Sequence, residues 1–270
     1  FFANLETGAT VEYFSGGVWT NNYTPVEGAN TVRVRQIDLA GNISPSTLFT
    51  FTLDTTNPLA VTVSLLLDTG LSGADRITSN GSLVVGGVDP GATVLYSVNG
   101  AAYSTAYAPV EGTNTVLVKQ VDLAGNESTA RTIQFVLDTI APVVPIVSLQ
   151  SDTGSSANDH YTSVGTLVIS NREANSVVEY SLDGLTWTQA FTPVEGLNAV
   201  WVRQTDLAGN GSVPASLFTF TLDRVAPTAP SVFLMNDTGS SPSDRVTRDG
   251  SIGVISNETP VDVSYSVTNG

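Results

Sequence analysis

Acidic side chains and asparagines recur at regular intervals along this sequence of 270 residues. The run Asp-Leu-Ala-Gly-Asn spans Asp38 to Asn42 and returns, unchanged, from Asp122 and from Asp206. Carboxylate and amide oxygens are ligands that Ca²⁺ prefers, and Ca²⁺ takes about 6 to 8 of them. These residue types therefore indicate a cation-binding chemistry that uses oxygen alone.

The composition excludes several other classes of site. The chain has 25 acidic and 10 basic side chains, a net charge of −15, which disfavours binding to nucleic acid or to an anionic membrane. It has no cysteine and one histidine, His160, so cysteine-based zinc sites, thiolate catalysis and sites with several histidines are excluded. With 41% hydrophobic and 13% charged residues, the chain is expected to fold.

The acidic residues belong to an internal repeat of about 84 residues. The run Tyr-Thr-Pro-Val-Glu-Gly from Tyr23 returns as Tyr-Ala-Pro-Val-Glu-Gly from Tyr107 and as Phe-Thr-Pro-Val-Glu-Gly from Phe191, 84 residues apart each time. Asp-Thr-Gly recurs from Asp68, Asp152 and Asp237, at intervals of 84 and 85 residues. The elements that position the acidic residues must therefore repeat with the same period.

Three short segments that end in proline separate the repeats. They contain Asp54, Asp138 and Asp223 and follow alternating apolar runs, and proline cannot continue a central strand. We therefore predict two complete repeats, at 58–138 and 142–223. A partial repeat at 1–54 lacks its first strands, and another at 227–270 lacks its last strands. Circularly permuted boundaries are an alternative that the sequence leaves open.

The apolar residues within a repeat alternate with a period of two. Phe49, Phe51 and Leu53 alternate with threonines, and Val116 and Val118 alternate with longer or polar side chains. This pattern predicts half-buried strands with one face against a core. About seven short strands per repeat, with Gly, Asn, Asp and Pro between them, predict an all-β protein of tandem immunoglobulin-like sandwiches arranged head to tail.

The four motifs together resemble the tandem bacterial immunoglobulin-like repeats of giant secreted surface adhesins, which include RTX-type and related non-fimbrial adhesins. The resemblance covers the whole chain. It implies a stalk outside the cell, at the bacterial surface, that projects distal binding domains for adhesion or biofilm formation. It also implies that calcium at the junctions stiffens the stalk.

Loops from two neighbouring sandwiches meet when such repeats stack head to tail. At the junction between 58–138 and 142–223, the expected Ca²⁺ ligands are Asp68, Asp75, Glu111, Asp138, Glu173, Asp206 and Asn210. Six carboxylates that close would repel one another without a cation. The candidate ligands at equivalent positions elsewhere are Asp38, Asn42, Asp54, Asp89, Asp122, Asn126, Asp152, Asp159, Glu195, Asp223, Asp237 and Asp244.

A simpler interpretation of the same residues is turn formation. Asp-Leu-Ala-Gly-Asn and Asp-Thr-Gly are good turns, because Asp can bind its own backbone and Gly tolerates a positive φ. Glu111 and Glu195 could equally hold a corner. The recurrent aromatic residues Trp19, Tyr103 and Trp187 are interpreted as core or strand packing, and His160 as an exposed loop residue.

The expected function is that of a structural extender, with calcium and the neighbouring repeats of the same chain as partners, and the segment is expected to be monomeric. One alternative is a repeat that itself binds a glycan or a host protein, with Trp201 as the candidate residue. Another is an accessory module of a secreted hydrolase. Catalysis by the chain is not expected, because every pair of acidic residues recurs in each repeat.

Overall fold

The computed structural model describes residues 4–256 and 263–266. These residues form β-strands, turns and loops, and none of them lies in a helix that is long and apolar enough to cross a membrane. The predicted all-β class of tandem immunoglobulin-like sandwiches is confirmed. The alternation of apolar and polar side chains produces it, because successive side chains of a strand point to opposite faces of the sheet.

Residues 4–54 form one antiparallel sheet of four strands. The strands are β1 (Thr10–Ser15), β2 (Val18–Thr20), β3 (Gly28–Ile37) and β4 (Thr47–Leu53), in the order β2-β1-β3-β4. Val32 is buried, but Phe49 is 57% exposed. The expectation that Phe49 is half-buried against a core is therefore wrong for this sheet, which has no second sheet among the described residues of this segment.

Residues 58–138 form a sandwich of two sheets. Its strands are β5 (Thr62–Leu65), β6 (Ile77–Thr78), β7 (Leu83–Gly86), β8 (Thr93–Val98), β9 (Gly112–Val121) and β10 (Arg131–Leu137). One sheet pairs β5 with β7, and the other has the order β6-β10-β9-β8 with β6 parallel to β10. Val61, Val116, Val118 and Phe135 are the most deeply buried apolar residues between them.

This repeat has six strands where about seven were predicted. The segment between β8 and β9 forms no strand. Its β-pairing is limited to an isolated bridge between Ser104 and Tyr96 of β8. Side chains hold this segment in place of a strand ladder: Asn114 accepts from the Val110 amide at 2.9 Å and donates to the Val110 carbonyl at 2.6 Å. The Tyr107 hydroxyl donates to the Gly81 carbonyl at 2.6 Å. The loop of Glu111 is thereby anchored without a seventh strand.

Residues 142–223 repeat the same strands. These are β11 (Ile146–Leu149), β12 (Tyr161–Thr162), β13 (Leu167–Ser170), β14 (Val177–Ser181), β15 (Gly196–Thr205) and β16 (Phe218–Leu222). β11 pairs with β13, and the other sheet has the order β12-β16-β15-β14. The pairing of the strands is therefore that of residues 58–138.

The last described segment contains β17 (Ser231–Leu234) and β18 (Ile252–Ile255), which pair with each other. Val232 faces Val254 as Val63 faces Val85 in the β5–β7 pair. Residues 257–262 and 267–270 of the predicted partial repeat lie outside the described residues.

The chain divides into two compact units that differ from the sequence repeats. One consists of Phe1–Pro145, Asn171–Glu179 and Arg203–Pro214, and the other of Ile146–Ser170, Tyr180–Val202 and Ala215–Gly270. The first unit therefore holds residues 58–138 together with the two loops that follow β13 and β15. Every residue of the cluster described below lies in this first unit.

Candidate metal centre

Asp138 is placed by the end of β10. Its backbone amide donates to the Thr78 carbonyl at 3.0 Å, which continues the parallel pairing of β6 and β10 by one residue. Its Oδ1 accepts from the Ile140 amide at 3.1 Å, an Asx-turn that opens the linker. The second carboxylate oxygen remains available as a ligand.

Glu173 is placed by a fully buried glutamine on β15. The side chain of Gln204 accepts from the Glu173 amide at 2.8 Å. It donates to the Val143 carbonyl at 2.7 Å and to the Asn171 carbonyl at 3.1 Å. Because buried polar groups are held firmly by their hydrogen bonds, Gln204 connects the linker with the loop of Glu173.

Asp206 begins the turn that we call the Asp206 turn, residues 206–210. Its Oδ1 accepts from the Asn210 amide at 2.8 Å, and its Oδ2 accepts from Nδ2 of Asn210 at 2.9 Å. Asp206 is 2% exposed. Asn210 Nδ2 also donates to the Asp138 carbonyl at 2.8 Å, so this asparagine joins the turn to the linker through its nitrogen.

Three carboxylates converge here. One oxygen from each of Asp138, Glu173 and Asp206 lies within 4.8 Å of the others, and the described residues form no other such group of three. Burial raises the pKa of the Glu173 carboxyl, and the charges of Asp206 and Asp138 raise it further. Opposite ligands of one Ca²⁺ lie about 4.6–5.2 Å apart, so the oxygens fit a shared cation that would relieve their repulsion.

The loop between β5 and β6 covers the Asp206 turn. The Thr69 hydroxyl donates to the Ala208 carbonyl at 2.7 Å, and the Leu71 amide donates to the Leu207 carbonyl at 3.3 Å. Gly70 has a φ of +99°, and a Cβ at this position would overlap the Leu207 carbonyl oxygen. The sequence interpretation placed Asp68 at this junction but gave no role to Thr69 and Gly70, although the recurrence of Thr and Gly was the signal of these contacts.

The other three carboxylates expected at this junction do not join the group. Asp68 Oδ2 accepts from the Arg76 amide at 2.9 Å, and Asp75 Oδ1 accepts from the Ile77 amide at 2.9 Å. Both lie in the loop between β5 and β6. Glu111 accepts from the Thr139 amide at 3.1 Å and from its hydroxyl at 2.9 Å, which is the corner-holding alternative.

One feature of the Asp68 loop is not explained by turn formation. Oδ1 of Asp68 is buried and has no hydrogen-bond partner, and the same is true of Asp152 and Asp237. Such an atom costs free energy unless it finds a partner, which includes a cation. These three aspartates therefore keep an oxygen that suits a metal ion, whereas their Oδ2 atoms hold the loop.

The preceding junction has the same residue types in a looser arrangement. Asn126 Nδ2 donates to the Asp54 carbonyl at 3.1 Å and to Asp122 Oδ2 at 2.9 Å. Hydrogen bonds from Asn126 lower the pKa of Asp122. Asp89 is exposed, and it forms no group of three with Asp54 and Asp122.

The remaining predicted ligands make hydrogen bonds within their own loops or to the adjacent linker. Asp38 accepts from the Asn42 amide at 2.7 Å and from Asn42 Nδ2 at 2.6 Å, and these bonds lower the pKa of Asp38. Asp152, Asp159, Asp237, Asp244 and Asp223 each accept from a backbone amide at 2.9–3.0 Å. Glu195 accepts from the Arg224 amide at 2.9 Å and from its Nε at 3.3 Å. Their role as metal ligands stays a prediction.

Two of the three recurrent aromatic residues pack against cations on β3 and β9. The Arg35 guanidinium lies 4.0 Å from the Trp19 ring centroid, and Lys119 Nζ lies 4.2 Å from that of Tyr103. Trp187 is half-buried. Trp201, the candidate for glycan binding, is also half-buried, on β15.

The interpretation of His160 as a plain exposed loop residue is incomplete. Nδ1 of its ring is hydrogen-bonded to the Thr219 carbonyl at 2.9 Å. The ring also packs against Phe218, with the centroids 5.1 Å apart. His160 is therefore held against β16 and contributes no ligand to the acidic cluster.

Comparison with known proteins adds little to this geometry. The sequence matches no protein-family model and no curated protein. Among solved structures, the chain is 13% identical to the fibronectin(III)-like modules of CbhA from Clostridium thermocellum. That match covers 74% of this chain and 91% of that chain with a TM-score of 0.28, too low to support an argument about fold or function.

Proposed function

We propose that this chain is an extender segment of a bacterial cell-surface adhesin, in which calcium at the junctions between immunoglobulin-like repeats stiffens an extracellular stalk. One observation carries the proposal: the carboxylates of Asp138, Glu173 and Asp206 come from the linker after the first complete repeat and from two loops of the repeat that follows it, and one oxygen of each lies within 4.8 Å of the others. A cation bound there would add to the hydrogen bonds by which Asn210 and Thr69 already join the linker and the first complete repeat to the Asp206 turn.

Calcium is favoured over other cations by the ligand chemistry. Three carboxylates on loops supply oxygen in a flexible geometry, which Ca²⁺ accepts more readily than Mg²⁺. The chain has no cysteine for a soft metal. Extracellular modules bind Ca²⁺ with dissociation constants of about 10⁻⁴ to 10⁻³ M, a range that calcium outside a cell satisfies and calcium in a cytosol does not.

Calorimetric titration of the whole chain with CaCl₂, combined with small-angle scattering in CaCl₂ and in EGTA, tests the proposal. We expect millimolar or tighter binding, and a scattering curve that indicates a stiffer particle with calcium. Asp206→Asn should weaken binding at this junction by roughly tenfold or more, because it removes one charged ligand. Glu127→Gln is the matched control, since Glu127 pairs with Lys119 at 2.6 Å and is no member of the cluster.

Two results would contradict the proposal. Scattering curves that superimpose with and without calcium would remove the stiffening role. An unchanged calcium titration for Asp206→Asn would place any bound calcium outside the Asp138, Glu173 and Asp206 cluster.

A further inference from the structure

Asn210 fastens the linker to the Asp206 turn through its carboxamide nitrogen. Nδ2 donates to the Asp138 carbonyl at 2.8 Å and to Asp206 Oδ2 at 2.9 Å, so this nitrogen lies between two acceptors. The side chain is half-buried and touches two members of the cluster of Asp138, Glu173 and Asp206. A chemical change at this nitrogen would therefore alter both the attachment of the linker and the charge of the cluster.

Asn126 makes the same contacts one repeat earlier. Its Nδ2 donates to the Asp54 carbonyl at 3.1 Å and to Asp122 Oδ2 at 2.9 Å, and its amide donates to Asp122 Oδ1 at 2.8 Å. The residue that follows it in the chain is Glu127, whereas Asn210 is followed by a glycine. The two asparagines thus have matched hydrogen bonds and different neighbours on their carboxyl side.

The fold does not require the glycine after Asn210. Its equivalent in the preceding repeat is Glu127. The φ of Gly211 lies outside the left-handed region, and an added Cβ would meet only the Thr205 hydroxyl, at 4.0 Å. The bridge between Thr205 and Gly211 is closed by the amides of Asp206 and Ser212. The Gly211 amide nitrogen is therefore uncrowded by a side chain and takes no part in the bonds of the bridge.

We propose that Asn210 is a deamidation site, at which its side chain becomes a fourth carboxylate of the acidic cluster. The Gly211 amide nitrogen forms a bond to Cγ of Asn210 and loses its proton, while the Cγ–Nδ2 bond breaks and ammonia leaves. Water then opens the cyclic imide to aspartate or, at the other carbonyl, to isoaspartate. The net reaction consumes water, releases ammonia and involves no oxidation.

Deamidation reverses the role of position 210. The new carboxylate faces the Asp138 carbonyl and Asp206 Oδ2 without a proton to share, and acceptors that lose their donor cost free energy. It also adds a charge beside three carboxylates, and neighbouring like charges disfavour one another. The junction without calcium should therefore be weakened, while a bound cation would gain an oxygen ligand. Only this last consequence rests on the proposed calcium binding.

Incubation of the whole chain in EGTA at mildly alkaline pH tests the chemistry. Peptide mapping by mass spectrometry measures the replacement of the amide by a carboxylate at each asparagine, and chromatography separates isoaspartate. We expect Asn210 to react at least about tenfold faster than Asn126, because the side chain of Glu127 crowds the attacking nitrogen and glycine has none. Gly211→Ala should slow the reaction at Asn210 and leave the fold intact, since the added Cβ has room.

Asn210→Asp reproduces one product and tests the consequence. In EGTA at low salt its midpoint of thermal unfolding should fall by roughly 4 °C or more. Asn210→Ala is the matched variant, because it loses the donor without adding a charge, and its midpoint should fall less. Added salt should narrow the difference between the two variants, since it screens the repulsion.

Three results would overturn the proposal. One is equal conversion of Asn210 and Asn126. Another is an unreacted Asn210 in samples in which the exposed Asn99, which precedes Gly100, has reacted. The third is equal stability of Asn210→Asp and Asn210→Ala at every salt concentration, which would exclude the new carboxylate from the cluster. These measurements contain no calcium, so their outcome is independent of the calcium proposal.

Discussion

The Asp206 turn and the Asp122 turn, residues 122–126, have the same sequence and different surroundings. Both show an aspartate Oδ1 that accepts from an asparagine amide at 2.8 Å and an Oδ2 that accepts from its Nδ2 at 2.9 Å. Yet Ala208 is fully buried, whereas Ala124 is exposed. The local hydrogen bonds are therefore a property of the five residues, and the burial is not.

The two turns differ in burial because they differ in the loop that lies against them. The loop of Thr69 and Gly70 lies against the Asp206 turn, and no equivalent loop among the described residues lies against the Asp122 turn. Only the covered turn belongs to a group of three carboxylates.

The largest expected effect comes from Gly70→Val. A valine that replaces Gly70 must adopt a positive φ, and its Cβ would overlap the Leu207 carbonyl oxygen. The Asp206 turn should therefore be displaced and its backbone amides exposed. Gly154→Val is the matched control, because Gly154 has a φ of +106° and no atom within 4 Å of an added Cβ. Both changes cost roughly 1–2 kcal/mol in strain, and Gly70→Val should cost about 1–3 kcal/mol more.

Hydrogen exchange of residues 206–210 measures this effect at the turn itself. Faster exchange in Gly70→Val than in Gly154→Val is the expected result. Equal exchange in the two variants would mean that the covering loop does not protect the Asp206 turn.

Thr69→Ala tests the contact between the covering loop and the Asp206 turn, because it removes the hydrogen bond from Thr69 to the Ala208 carbonyl. The variant leaves the Ala208 carbonyl without its donor, which should cost about 1 kcal/mol. Thr153→Ala is the control, because the hydroxyls of Thr69 and Thr153 both accept from a serine amide at 2.7 Å within their own loops. If the two variants lose equal stability in thermal unfolding, the bond to Ala208 contributes nothing.

Glu173→Gln should change stability with opposite signs in EGTA and in calcium. Without calcium it removes repulsion from Asp206 and Asp138 and should stabilise the junction by about 0.5 kcal/mol, because the site is partly screened by water. With calcium it removes a ligand and should destabilise it. Asp89→Asn, at the preceding junction, serves for comparison. The same sign in both buffers would argue against Glu173 as a ligand.

The smallest expected effect is a pH dependence in EGTA. The pKa of Glu173 is raised above its ordinary value of 4.5, so its contribution to stability is complete below that value and is lost as the pH rises through the raised pKa. Exchange in the Asp206 turn, corrected for its intrinsic rate, should slow as the pH falls from 7 toward 5. The Asp122 turn should not follow, because the pKa of Asp122 is lowered.

The strands and the repeat could be predicted from the sequence because they depend on local pattern. Val116 and Val118 alternate on one strand, and their burial follows from that alternation. Phe49 has the same pattern and is 57% exposed, because burial also needs a partner sheet. A periodic pattern identifies the face of a strand but cannot show whether another sheet covers it.

The candidate site divides in the same way. Sequence spacing alone placed Asp138, Glu173 and Asp206 at one junction, since loops of stacked sandwiches meet there. It also placed Asp68, Asp75 and Glu111 there, and these make hydrogen bonds within their own loops or to the adjacent linker. The two sets differ in the direction in which their carboxylates point, and the spacing of residues within loops does not determine that direction.

The amino-acid sequence was sufficient for the all-β class, the period of about 84 residues and the turns that Asp and Asn build, because each depends on residues close in the chain or on exact recurrence. Tertiary structure alone decided which three carboxylates meet and which atoms of the Asp68 loop cover the Asp206 turn. Those properties depend on contacts between residues as far apart as Thr69 and Ala208, and identical segments can differ in them.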